Sequence, residues 1–148
     1  MRISVQDTPF ELGAESDAFA AGVEGAGAVV TFTGVVRDAD QGGLKAMEIE
    51  HYPGMTKKAL TAIAEEAIKR WSLADALIIH RHGRLEPGER IMMVATAARH
   101  RKDAFEAAEY LMDYLKSRAP FWKKEILASG DSDWVAAKDA DEDALKRW

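Results

Sequence analysis

Apolar and polar residues follow two different periods along this chain. The period of two residues, in which apolar and polar side chains alternate, predicts five β-strands. Ile3 and Val5 alternate with polar neighbours, residues 28–36 are β-branched and aromatic almost throughout, and residues 44–52 alternate again. We expect 28–36 and 44–52 to form a hairpin across the turn-rich residues 38–43. Two further strands, 76–85 and 91–98, should be antiparallel neighbours joined by a tight turn at 86–89.

A helical period predicts two substantial helices and a weaker one. Residues 12–23 form the weak helix, and Thr56 is a candidate N-cap for a helix that runs to Trp71. The third helix runs from about residue 99 to 118, because Pro120 cannot continue it. Its apolar stripe should be buried and its polar side exposed. The stripe consists of Ala104, Phe105, Ala108, Leu111, Met112 and Leu115, and the outward side of Asp103, Glu106, Tyr110 and Asp113.

These elements together predict an α+β fold, with an antiparallel or mixed sheet and two main helices packed on it, of the α/β-hammerhead type. A chain of 148 residues is large enough to bury a core, and we expect residues 1–148 to form a single domain. After residue 125 the sequence indicates a polar loop, an apolar anchor at Trp134 and Val135, and a charged terminal helix or tail from 139 onwards.

Composition excludes several functional classes. The formal net charge of −5 argues against binding to nucleic acid or a membrane surface, which would need an extended basic face. The absence of cysteine removes thiolate nucleophiles, disulfides and cysteine-based metal sites. The N-terminus has no apolar signal region and no segment has transmembrane length, so we expect a cytoplasmic protein.

One segment departs from the acidic average. Residues 99–124 contain seven lysines and arginines against four acidic residues. The turn after Arg118 should bring Lys123 back towards Lys116, whose stem should be partly buried. Two adjacent lysines could act as general acid or base, or could stabilise developing negative charge. The alternative is a pair of surface lysines whose stems pack on the protein while their amines stay in water.

Several other polar residues also have both a functional and a structural interpretation. Arg37 ends a strand, where its guanidinium could grip a phosphate, or it is an ordinary surface arginine. Gly34 could mark a bulge that leaves the N–H groups of Val35 and Val36 free for a ligand. His80 and His82 have the spacing of a metal-binding pair, but no third ligand is evident and structural histidines are the better interpretation. We therefore expect neither metal nor cofactor.

Four longer motifs in order make the chain similar to a known family. They are residues 27–37, 50–56, 80–88 and 114–125. With them the chain resembles the catalytic, or large, subunit of molybdopterin synthase from Gly27 to the C-terminus.

The resemblance implies a sulfurtransferase of molybdenum cofactor biosynthesis. Such enzymes convert cyclic pyranopterin monophosphate into molybdopterin. The sulfur comes from the C-terminal glycine thiocarboxylate of a small ubiquitin-like partner subunit, and the family assembles as a heterotetramer around a central homodimer. An enzyme that moves sulfur and has no cysteine needs such an external donor.

The resemblance also assigns roles to residues of this chain. Lys116 corresponds to the principal catalytic lysine and Lys123 to a second active-site lysine. The substrate-binding positions are Val35, Val36, Arg37, His100, Arg101, Lys116, Lys123, Lys124 and Glu125. Val35 stands where relatives can have lysine, and Lys138 where an arginine is expected, so side-chain roles at these two positions are in doubt.

Two other classes of function fit the same cationic segment. A regulatory module could bind a phosphate ligand there without any partner. An interaction protein could instead dock a partner on the helix that begins near Asp103, and it would tolerate charge reversal at Lys116.

Overall fold

A computed structural model describes residues 1–136 and 138–148, and their fold is α+β, as the sequence predicts. The strands are β1 (Arg2–Gln6), β2 (Ala28–Val35), β3 (Leu44–His51), β4 (Asp75–Arg81), β5 (Gly83–Leu85), β6 (Arg90–Ala98), β7 (Phe121–Leu127) and β8 (Ser132–Trp134). The helices are α1 (Leu12–Ala21), α2 (Met55–Trp71), α3 (Arg101–Ser117) and α4 (Asp139–Ala144), followed by the 3-10 turn Leu145–Arg147. No described helix is long and apolar enough to span a bilayer.

The described strands form two sheets where the sequence suggested one. Sheet 1 has the order β1-β4-β6-β2, in which only β1 and β4 are parallel, and sheet 2 is the antiparallel array β5-β3-β7-β8. The predicted hairpin of 28–36 with 44–52 is therefore wrong. β2 pairs with β6 in sheet 1, whereas β3 pairs with β5 and β7 in sheet 2.

The chain changes sheets at a second place that the sequence pattern did not reveal. Residues 76–85 were predicted as one strand, but β4 ends at Arg81 and β5 begins at Gly83, which has a φ of 91°. This left-handed conformation suits glycine and redirects the backbone. The antiparallel pairing of β4 with β6 is confirmed, but the turn at 86–89 connects β6 to β5 in the other sheet.

The core lies between sheet 1 and its helices. α2 and α3 pack on one face through residues such as Leu60, Ala64 and Leu111, all fully buried. α1 covers the opposite face, where Phe19 packs with Leu77, Ile79 and Met93. Burial of apolar side chains on both faces explains why β4 and β6 have near-continuous apolar sequences.

Several local predictions for the two long helices need correction. Gly54 occupies the N-cap position of α2, and the Thr56 hydroxyl instead accepts the Tyr52 N–H at 3.0 Å. In α3, Tyr110 is buried and Phe105 is 61% exposed, the reverse of the predicted sides. Tyr110 is drawn inwards because its ring packs edge-on against Trp71, at 5.1 Å between centroids.

Candidate functional site

A cavity of about 490 Å³ opens between the C-terminal end of α3, the start of β7 and the loop after β2. We call it the lysine cavity, because Lys116 and Lys123 both line it. α3 supplies Lys116 because its apolar face is fixed on sheet 1. Pro120 then ends the helix, and β7 begins one residue later. The predicted approach of Lys123 to Lys116 is confirmed, since the charge of Lys116 affects Lys123.

β7 contributes four residues of the segment 121–125 to the cavity lining. Alternate residues of a strand share a face, so Phe121, Lys123 and Glu125 lie together, and Trp122 of the other face lines the cavity as well. Lys124 is on the other face, and its Nζ lies 5.5 Å from the centroid of the Trp134 ring. The sequence pattern had not predicted a strand here, because Lys123 to Glu125 are consecutive charged residues with little β preference.

The two lysines have different surroundings. Lys116 is exposed as a whole residue, and the partial burial predicted for its stem stays a prediction. Lys123 is the more buried of the two, and its pKa is lowered to about 8. Burial is the main cause, followed by repulsion from Lys116, while the carboxylate of Asp141 opposes the shift. An amine with a pKa near 8 can gain or lose a proton close to neutral pH.

The loop after β2 forms another wall of the lysine cavity. Val35, Val36 and Arg37 all line it, and a bulge between Gly34 and Val35 shifts the register against β6. The predicted bulge is confirmed, but the Val36 N–H is not free for a ligand, because it donates to the Glu89 carbonyl at 2.8 Å. The Arg37 guanidinium lies 3.5 Å from the Asp40 carboxylate at an exposed position.

The C-terminal segment closes the cavity, where the sequence pattern predicted a polar loop, an apolar anchor and a charged tail. Trp134, Val135, Lys138 and Asp141 all line the cavity. Trp134, predicted as an apolar anchor, is 50% exposed and forms a wall of the cavity. The segment is held beside β7 by the Val135 N–H, which donates to the Lys123 carbonyl at 2.7 Å.

Two predicted site residues lie far from the lysine cavity of the same chain. His100 and Arg101 are exposed at the N-terminal end of α3, whereas Lys116 is near its C-terminal end. At 1.5 Å per residue the two ends are roughly 22 Å apart. Charges within the cavity are balanced. Among the described lining residues there are four basic side chains, Arg37, Lys116, Lys123 and Lys138, and four carboxylates, Asp38, Asp40, Glu125 and Asp141.

The remaining histidines gather where the two sheets meet. The His51 and His82 rings have centroids 4.2 Å apart, and burial followed by the neighbouring His82 lowers the pKa of His51. His80 stacks on Phe121 and lines the lysine cavity. Among the described residues, no group of three or more His, Cys, Asp or Glu side chains could hold a metal ion.

Comparison with known proteins places the chain in a family. The model of the family described as "MoaE protein" matches residues 5–118. A protein of Cereibacter sphaeroides named "Molybdopterin synthase catalytic subunit" is 71% identical over all of both chains.

Solved structures agree. The molybdopterin biosynthesis MoaE protein of Burkholderia ambifaria is 51% identical, with a TM-score of 0.84 over 99% of this chain and 97% of that one. One chain in a complex of subunits 1 and 2 of molybdopterin-converting factor from Helicobacter pylori has the same fold, with 20% sequence identity to this chain. Its TM-score is 0.72, and the match covers 93% of this chain and 90% of that one. With this sequence match and this fold, the chain belongs to the MoaE family of molybdopterin synthase catalytic subunits.

Proposed function

We propose that this chain is the catalytic subunit of a molybdopterin synthase. It converts cyclic pyranopterin monophosphate into molybdopterin with sulfur from the C-terminal glycine thiocarboxylate of a small ubiquitin-like subunit. The observation that carries the proposal is the convergence of Lys116 and Lys123 on one cavity, in a family whose members are named for this synthase. Residues 1–148 act as one domain in this proposal, because α3 and β7 build the site jointly.

The surroundings of the two lysines support separate roles. Lys123, with a pKa of about 8, exchanges protons with the thiocarboxylate or with the substrate near neutral pH. Lys116 is exposed and cationic, and it polarises the thiocarbonyl group as charge develops. Arg37 holds the phosphate, because its exposed ion pair with Asp40 is weak and readily exchanged for a bidentate contact.

The distant His100 and Arg101 support a homodimer in which each cavity is completed by the other copy. β2 is an edge strand of sheet 1, and it exposes Val29, Phe32 and Val35. The first residues of β2 lie beside the start of α3, and its last residues line the cavity. If two copies paired antiparallel along β2, the His100 end of one would face the lysine cavity of the other. The second copy would thereby add positive charge to a cavity in which one chain supplies equal numbers of basic side chains and carboxylates.

The test is to combine the protein with cyclic pyranopterin monophosphate and a thiocarboxylated small subunit, and to measure the dithiolene product. Lys116→Ala should reduce product formation at least about 100-fold while the fold and partner binding are retained. Lys69→Ala is the matched control, since Lys69 is an exposed lysine in the last turn of α2, and it should have normal activity.

Normal turnover by Lys116→Ala would overturn the catalytic assignment. A stable complex of the wild-type chain with the small subunit that makes no product would favour the alternative function, a module that only binds its ligand. An interaction protein that used α3 as a docking surface would retain its function in both lysine variants.

A further inference from the structure

His80 has a role in the lysine cavity that no motif assigned to it. The residue is next to last in β4, and its side chain is only 4% exposed. Its ring is stacked on Phe121 with centroids 3.7 Å apart and planes inclined by 16°. Phe121 and Lys123 share one face of β7, and the charge of Lys123 acts on the imidazole, although no hydrogen bond joins these two side chains among the described residues.

The hydrogen bond of the ring fixes its tautomer. His80 Nδ1 lies 2.8 Å from the carbonyl oxygen of Arg81. A carbonyl oxygen can only accept, so Nδ1 carries the hydrogen and donates it. In the neutral ring Nε2 then has no hydrogen and presents a lone pair.

The surroundings keep the ring neutral. Burial is the main cause that lowers the pKa of His80, to about 3, and the bond to the Arg81 carbonyl opposes the shift. The charges of Lys123 on β7, Lys116 on α3 and the adjacent His82 lower it further. An imidazole in this position does not act as a general base, because it does not take up a proton near neutral pH. It can still accept a hydrogen bond at every pH at which the enzyme works.

We propose that His80 is a positioning residue for Lys123: when the lysine side chain turns towards the ring, its ammonium donates a hydrogen bond to the bare Nε2. This inference rests on the proposed function, because it names a residue that orients the second lysine of that site. With one N–H directed to His80, the remaining valences of the amine face the interior of the cavity. When Lys123 loses its proton, the lone pair is directed at the reacting groups instead of rotating freely.

Three variants separate this role from simple packing. His80→Phe retains a ring that can stack on Phe121 but removes Nε2, whereas His80→Gln places an amide oxygen near the same point. His82→Phe is the matched control, since His82 contacts His51 and is not among the described lining residues. We expect His80→Phe to lower kcat about tenfold or more while KM changes little, His80→Gln to recover most of the loss, and His82→Phe to behave as wild type.

The ionisation of Lys123 gives a readout that packing alone would not change. Loss of the acceptor destabilises the ammonium, so the pKa of Lys123, followed by NMR titration, should fall in His80→Phe and return in His80→Gln. The titration must be interpreted together with Lys116, Asp141 and Lys138, which also act on Lys123. Nitrogen NMR of the wild-type protein should find Nδ1 protonated and Nε2 bare from weakly acidic to weakly alkaline pH.

These measurements also distinguish the failure of this inference from failure of the proposed function. A wild-type protein that makes no product would overturn the function, but the tautomer and the Lys123 titration would still support or refute the role of His80. An unchanged pKa of Lys123 in His80→Phe, or a proton on Nε2 in the wild type, would refute it. So would a folded His80→Gln with the same low kcat as His80→Phe.

Discussion

Lys116 and Lys123 face one cavity, but their surroundings differ. Lys116 is on the exposed side of the last turn of α3, whereas Lys123 is on the inner face of a strand, where burial lowers its pKa to about 8. The same burial acts more strongly on His80, because a buried imidazole cannot retain water around a positive charge. The pKa values of Lys123 and His80 therefore depend on where the backbone places these two residues.

The buried neutral state of His80 predicts acid-dependent stability. The folded-state pKa is lowered from 6.5 to about 3, so the unfolded chain binds a proton that the folded chain excludes. Stability is then complete above pH 6.5 and is lost as the pH falls from 6.5 towards 3. At pH 5 the loss from this residue should be about 2 kcal/mol relative to pH 7.

Urea unfolding at pH 7 and pH 5 tests this expectation. The free energy of unfolding of His80→Gln should fall less between the two pH values than that of the wild type, by roughly the same 2 kcal/mol. His82→Gln provides the comparison, and it should follow the wild type. Equal losses in the wild type and His80→Gln would show that His80 is protonated in the folded protein.

Among the elements, β2 depends on two glycines for its position. Gly34 stands at the bulge, where a Cβ would lie 3.3 Å from Met92 Cγ. Gly27 precedes the strand, and its N–H donates to the Ala98 carbonyl at 3.0 Å. A Cβ at Gly27 would lie 2.5 Å from the carbonyl oxygen of Arg99, a contact that side chains essentially never make. This close approach joins β2 to the start of α3.

Gly27→Ala should therefore destabilise the protein by about 1–3 kcal/mol, because backbone atoms must move apart to admit the methyl group. The control is Gly13→Ala in α1, where no atom lies within 4 Å of the added Cβ. That change should be neutral or stabilising by up to about 1 kcal/mol, since alanine favours a helix. Chemical denaturation measures both, and a Gly27→Ala protein as stable as Gly13→Ala would show that the approach is not tight.

At the scale of the whole molecule, the C-terminal segment is held against α2 and the C-terminal half of α3. The Trp148 indole donates to Asp113 at 2.6 Å and packs edge-on against Trp71, and Arg118 forms two hydrogen bonds with Glu142. These contacts hold the cavity wall that contains Lys138 and Asp141 against α3. The site is thus assembled from distant parts of the chain, and the proposed homodimer extends this to a second copy.

Mixing two impaired variants tests the shared site. Arg101→Ala and Lys116→Ala proteins should each have low activity at limiting substrate, the former mainly through a raised KM. If Arg101 acts on the cavity of the other copy, mixed dimers contain one intact site. After exchange of copies, equal amounts should then regain about a quarter of wild-type activity. No recovery, in a sample shown to contain mixed dimers, would mean that Arg101 does not act across the interface.

The sequence by itself determined the class of fold, most of the secondary structure and the pairing of Lys116 with Lys123. These features follow from local periodicity, from Pro120 and from motifs that lie within short stretches of chain. The bulge at Gly34 was also predictable, since a glycine within a β-branched strand has few other uses.

Only the tertiary structure decided which sheet each strand joins, which lysine is buried and which residues close the cavity. Strand pairing depends on contacts between distant segments, so the local pattern of β2 and β3 was equally compatible with a hairpin and with separate sheets. The burial of Lys123, the lone pair of His80 and the wall formed by Trp134, Val135, Lys138 and Asp141 each arise where distant segments meet. Desolvation and hydrogen bonding at contacts between distant segments are properties of the folded chain, and no single stretch of sequence encodes them.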